Sequence, residues 1–170
     1  MKKIKILLLT GLFVFSCEKF KVAGIDSDKL VNVSSEDKEM NKIIGNSRTT
    51  FNVFAGRLMA HDKSERDFSV KYPFETDPGS TESIEHLWID NIEYKDGIYY
   101  GFISNEPYYI NKIKYGDKVS FDSEKISDWK YVKDGYLVGG ESIIYLIKNM
   151  SKKERKEILD NLDYKIRGFN

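Results

Sequence analysis

Cysteine is nearly absent from this 170-residue chain: Cys17 stands alone, and histidine occurs only as His61 and His86. A single cysteine excludes an internal disulfide framework, and two histidines distant in sequence make no zinc-ligand pair. Long hydrophobic runs are also missing. The longest, Ile6 to Phe15, has ten residues interrupted only by Thr10 and Gly11, whereas a membrane-spanning helix needs about 20. Neither sign of charge is in excess, with 27 Lys plus Arg against 27 Asp plus Glu. Without a basic stripe, nucleic acid is excluded as an expected partner. The chain also has no nucleophile elbow, phosphate loop or dinucleotide fingerprint, so no cofactor is expected. Repeats and low-complexity stretches are absent too.

What is present begins at the N-terminus. Met1-Lys2-Lys3-Ile4-Lys5 carries three positive charges ahead of the apolar run, which Glu18 and Lys19 end abruptly. A basic segment followed by roughly 7–15 apolar residues is the pattern of a secretory signal. The run closes on Val14-Phe15-Ser16-Cys17, which resembles a bacterial lipobox. That resemblance implies cleavage before Cys17 and its conversion to a lipid-bearing N-terminus. Each buried CH₂ contributes roughly 0.8 kcal/mol, so two or more acyl chains hold a protein firmly to a membrane. The expectation is a signal peptide over 1–16, a lipidated Cys17 with a tether over 17–34, and a folded domain over 35–165. As a coil, such a tether spans roughly 20–25 Å. Loss of Lys2, Lys3 and Lys5 leaves the mature part with a net charge of about −3, and its length suits one domain.

Ser35 is placed to cap a helix whose first turn holds Glu36 and Asp37, where the helix dipole favours acids. Met40, Ile43, Ile44, Ser47, Phe51, Phe54 and Leu58 recur at spacings of three and four, which predicts a helix from about Glu36 to Ala60. The period then changes to two. Phe68, Val70, Tyr72 and Phe74 alternate with polar residues and Pro73, predicting a half-buried strand, and the proline places it at a sheet edge or at its own end. Asp77-Pro78-Gly79-Ser80 reads as a turn. Ile84–Tyr94 and Ile98–Ser104 flank Lys95-Asp96-Gly97, a strong hairpin signal. Asp134-Gly135 marks a smaller hairpin between Trp129–Val132 and Tyr136–Val138, and Asp117 to Asp122 reads as another short strand. Ile143 to Met150 is helical in spacing, and Ser151-Lys152-Lys153-Glu154 matches a capping box that opens a further helix. The predicted class is α+β: an N-terminal helix, an antiparallel sheet of about four to six strands, and C-terminal helices.

Several segments in the middle of the chain occur in a distinctive order: Glu85-His86-Leu87-Trp88, Asn105-Glu106-Pro107, Tyr115-Gly116-Asp117, Ile126-Ser127-Asp128-Trp129 and Gly139-Gly140. In that order and spacing they resemble the bacterial domain of unknown function numbered 2314, the YegJ-like family, over roughly Asp37 to Asp160. The resemblance implies a fold unit rather than a reaction, because the family has no established activity. This chain carries Glu141-Ser142 where the family usually has an aromatic or small residue and Thr. Some immunity domains of bacterial toxin systems are loosely similar between Asn105 and Trp129.

Candidate functional residues lie within those segments. His86 is suited to acid–base work because imidazole titrates near neutrality. Glu85 beside it points to the opposite face of a strand, so the two cannot act as an adjacent pair. Asp128 and Glu106 are the other acid–base candidates, and the bland reading makes Asp128 a buried turn cap and His86 a hydrogen-bonded sheet residue. Glu85, Trp88, Asn105 and Trp129 are candidates for a binding surface. The leading expectation is a lipid-tethered binding module at the cell envelope, held to the membrane through Cys17 and recognising an envelope protein or component. The paired tyrosines Tyr99, Tyr100, Tyr108 and Tyr109 suit recognition surfaces and equally suit sheet packing. The alternatives are a small hydrolase or lyase using His86 with Asp128 or Glu106, and a toxin-immunity protein.

Overall fold

The computed structural model describes residues 38–169. The signal segment, Cys17, the tether and the first-turn residues Ser35, Glu36 and Asp37 lie outside the described residues. The elements run α1 (Lys38–Ala60), β1 (Glu65–Glu75), β2 (Ile84–Lys95), β3 (Ile98–Ile103), β4 (Lys118–Phe121), a 3₁₀ turn (Ser123–Lys125), β5 (Asp128–Lys133), β6 (Tyr136–Gly139), α2 (Glu141–Asn149) and α3 (Lys152–Asn161). The six strands form one sheet in the order β4-β3-β2-β1-β5-β6, with every neighbouring pair antiparallel. The class is α+β.

Alternation along the strands divides the side chains between two cores. Val70, Leu87, Ile89, Ile103, Phe121, Trp129 and Tyr131 pack with Phe51 and Phe54 of α1, and Phe54 is completely enclosed. Burying each such side chain stabilises the fold by roughly 1.5–3 kcal/mol. The opposite face carries a smaller core. Leu137 of β6, Ile143 and Ile147 of α2, Ile158 of α3 and Ile166 meet there, with Trp88 against them.

Both Asp-Gly hairpins form as the turn chemistry requires. Asp96 and Gly97 have φ of 53° and 84°, and Asp134 and Gly135 have 51° and 78°. These are the paired positive angles of the tight turn that matches strand twist. Ser151 and Glu154 close a complete capping box at α3.

Of the two placements expected from Pro73, the sheet edge is corrected: β1 lies inside the sheet, between β2 and β5, and the proline falls near its C-terminal end. Its pairing with β5 ends at Lys71↔Asp128, while its pairing with β2 continues through Pro73↔His86 to Glu75. Pro73 therefore sits where β1 has a strand on one side only, and its missing N–H interrupts no ladder.

Candidate functional site

Asp128 stands where β5, α1 and α2 meet. Its carboxylate is 1% exposed at the residue level and accepts four hydrogen bonds. The donors are the Trp129 amide at 2.8 Å, the Ser47 hydroxyl of α1 at 3.4 Å, and the Ser142 amide and hydroxyl at 2.9 and 2.6 Å. The N-cap position of α2 is Gly140, which has no side chain to accept a hydrogen bond, so the carboxylate from β5 takes the orphan donors of the helix start. A negative charge at a helix N-terminus is favourable in addition. Gly139 and Gly140 make the approach possible, with φ of 72° and 66°. A Cβ on Gly139 would lie 2.3 Å from the Trp129 carbonyl oxygen and 2.6 Å from its ring. The Asp-Trp and Gly-Gly segments are thus one structural unit. Ser142 retains the hydroxyl that Thr would bring, so that departure from the family pattern keeps its chemistry.

Glu85 and Asn105 act on backbone. Glu85 is buried on the α1 side and accepts from the Tyr108 and Tyr109 amides at 2.7 and 2.9 Å. The Asn105 side-chain oxygen accepts from the Trp88 amide at 2.7 Å. Asp77 takes the amide and the side-chain nitrogen of Asn111 at 2.8 and 2.6 Å. Together they clamp the long β3–β4 connection against β2 and the β1–β2 turn. Glu106 rides on that connection, exposed, with no hydrogen bond or ion pair among the described residues. Trp129 belongs to the α1 core, its ring 5.8 Å from Phe54 and its N–H donating to Thr50 at 3.1 Å.

His86 lies on the other face of the sheet. Its Nδ1 is 2.8 Å from the Ser127 hydroxyl, which is itself 3.1 Å from the Lys71 carbonyl. The hydroxyl has one hydrogen and the carbonyl can only accept, so Ser127 donates to Lys71 and accepts from His86 Nδ1–H. The neutral imidazole then keeps its lone pair on Nε2. Burial, then the charges of Lys71 and Arg48, push its pKa from 6.5 down to about 4. The residue is exposed on its outer side, and solvent there moderates the burial effect.

Register places further polar groups beside it. Lys71 pairs with Trp88 on one side and Asp128 on the other, and Ser69 with Asp90 and Lys130. The ammonium groups of Lys71 and Lys130 lie 5.7 and 5.2 Å from the Trp88 ring centre. Lys130 donates to Ser69 Oγ at 2.9 Å. Burial lowers the pKa of both lysines, with Asp128 opposing it at Lys71 and Asp90 at Lys130. Among the described residues no hydrogen bond or ion pair joins His86, Asp128 and Glu106. Nor does any group of three His, Cys, Asp or Glu have the arrangement to hold a metal ion.

At one sheet edge β4 pairs with β3 alone. Beside it runs an open groove lined by Tyr72, Tyr94, Ile98, Tyr99 and Phe121. It continues past Ser123 to Arg48, Phe51 and Asn52 of α1. The opposite edge, β6, is covered: the Leu137 amide donates to the Lys165 carbonyl, and the Lys165 amide to Gly135. Among these groups sequence reasoning missed Lys71, Ser127, Lys130, Ser142 and Asp77. Only strand register could have brought the first three to Trp88 and His86. A hydroxyl just after Gly-Gly was the available signal for Ser142.

A family profile matches residues 37–164, described as an uncharacterized protein conserved in bacteria (DUF2314). The chain belongs to this family. It is 32% identical over 155 residues to the uncharacterized protein YegJ of Escherichia coli strain K12, covering 91% of this chain and 95% of that one. It is 36% identical over 130 residues to a protein of Neisseria meningitidis serogroup B named for ankyrin repeats, covering 74% of this chain and 51% of that protein. No solved structure matches. The segments that carry the resemblance map onto two structural devices, the Asp128 cap and the clamp on the β3–β4 connection.

Proposed function

We propose that this protein is a lipid-anchored binding module of the bacterial cell envelope, and that it receives an extended segment of a partner protein along β4. The observation that carries the binding reading is the open β4 edge beside an aromatic groove. An unpaired edge offers a row of backbone donors and acceptors to an added strand. Tyr94 and Ile98, 49% and 45% exposed, supply the apolar contact that selects a side chain of the incoming segment. Four residues of edge make few backbone bonds, which suits a transient complex. The acidic candidates point the same way. Asp128 and Glu85 have their oxygens engaged by backbone and hydroxyl donors, and among the described residues no hydrogen bond joins His86 to Asp128 or Glu106 for hydrolase or lyase chemistry. The anchor reading is supported by the Ile6–Phe15 run and the Val14-Phe15-Ser16-Cys17 sequence.

A photo-crosslinking amino acid at Ser120, in the full-length chain expressed in its own cells, tests the binding reading. The expected result is a discrete adduct that Tyr94→Ala weakens severalfold and that the same probe at Asp160 of α3 does not produce. Equal adducts from Ser120 and Asp160, or none from Ser120, overturn it. In the same cells Cys17→Ser is expected to abolish palmitate labelling and release the protein from membranes. Retained labelling overturns the anchor.

A further inference from the structure

The sheet face opposite α1 brings two lysines together, with carboxylates acting on them through space: Asp90, Asp163 and Asp128 at Lys130, and Asp128 at Lys71. Lys71 and Lys130 both lie against the ring of Trp88, at 5.7 and 5.2 Å from its centre. A ring face attracts one ammonium; a second nearby adds repulsion that the ring's quadrupole does not remove. Lys130 has the Ser69 hydroxyl as an acceptor. Lys71 has three N–H donors and no hydrogen-bond acceptor among the described residues. Asp128 is its paired residue in register, but both oxygens of that carboxylate are occupied by Trp129, Ser47 and Ser142. Half-buried polar groups without partners are costly unless a ligand completes them. On the outer side stands His86, exposed, its Nε2 left as an acceptor by the Ser127 contact.

We infer that the Lys71–Trp88–Lys130 cluster, entered beside His86, is a binding site for a small molecule bearing a carboxylate or phosphate group. The oxyanion accepts from Lys71 and draws Lys130 toward it, and the ligand's remaining atoms lie along the His86 ring. The shared requirement is a compact oxyanion with more than one acceptor oxygen, which chloride does not supply. Burial lowers the pKa of both lysines in the ligand-free state, and a bound oxyanion favours their charged forms against it. The site lies on the face away from α1 and does not depend on the β4 groove.

The two tryptophans provide an internal comparison. Trp88 touches the cluster, while Trp129 is in the α1 core with its N–H on Thr50. The full-length chain, purified in detergent, is titrated with inorganic phosphate and separately with acetate. Sodium chloride holds the ionic strength constant, and the two indole N–H signals are followed by NMR. The expected result is a saturating shift of the Trp88 signal with one or both oxyanions and a stationary Trp129 signal, the effective ion showing which group the site prefers. Lys71→Met should weaken the response at least about tenfold, with an unmoved Trp129 signal showing that the variant is folded. If neither ion moves Trp88 beyond the chloride response, if both indoles move together, or if folded Lys71→Met responds as the parent does, the site is not there.

Discussion

A single carboxylate decides how α2 attaches to the sheet. Asp128 supplies the capping acceptor for a helix whose own N-cap residue is glycine, and it also ties in Ser47 of α1. Replacing it with alanine leaves the Ser142 and Trp129 amides without acceptors in a buried setting. Unsatisfied buried groups cost about 1–3 kcal/mol each, so Asp128→Ala is expected to lower unfolding free energy by roughly 2–4 kcal/mol. Ser142→Ala removes one hydroxyl bond and keeps the amide contact, and is expected to lower it by about 1 kcal/mol. Urea denaturation of both variants checks the order. An Asp128→Ala protein as stable as the parent would remove the cap argument. The aspartate was visible in the sequence as a candidate acid. Its work as a distant helix cap was not, because the carboxylate and its donors on Ser142 lie fourteen residues apart and meet only when β6 turns back into α2.

Among the elements, the connection between β3 and β4 has the least regular structure and the most deliberate attachment. Glu85, Asn105 and Asp77 hold it through backbone amides. Such side chains replace ladder bonds for a segment that makes no strand of its own. Glu85→Ala should free the Tyr108 and Tyr109 amides while the sheet stays intact. Hydrogen exchange is expected to speed up by about tenfold or more between residues 105 and 111, with little change in β1 and β5. Uniform acceleration across the sheet would show instead that Glu85 stabilises the whole domain. The strand and helix boundaries were largely legible, since Asp-Gly turns, alternation and the capping box act over a few residues. The place of β1 was not. Pro73 gave a sound local signal about its own surroundings, but whether a strand is central depends on which partners pair along the rest of its length.

For the whole molecule, the pH dependence of stability follows from groups whose pKa falls on folding. His86 goes from 6.5 to about 4 through burial and the charges of Lys71 and Arg48. The unfolded chain therefore binds this proton first as pH drops, so stability is fully present above about 6.5 and declines toward about 4. Glu65 adds to the same direction at lower pH. Its hydrogen bonds from Arg57, opposed by burial and aided by Lys133, hold its carboxyl below its ordinary value of 4.5. Its stabilisation is present above that value and is lost as pH falls through its folded pKa. Thermal melts between pH 7 and pH 4 are expected to show a decreasing Tm, and His86→Gln should flatten the upper part of the curve. A Tm that rises on acidification would contradict both assignments.

The sequence alone determined the α+β class, the two tight hairpins, the α3 cap and the family, because each rests on short-range chemistry or on the order of short segments. It also carries the whole case for the N-terminal signal and lipid anchor. Only the tertiary structure decided which of Glu85 and His86 faces α1 and what each one binds, that Asp128 caps a helix, and that Lys71 and Lys130 converge on Trp88. Side-chain neighbours across a sheet are set by strand order and register. Those depend on the summed packing of both cores rather than on any local run of residues.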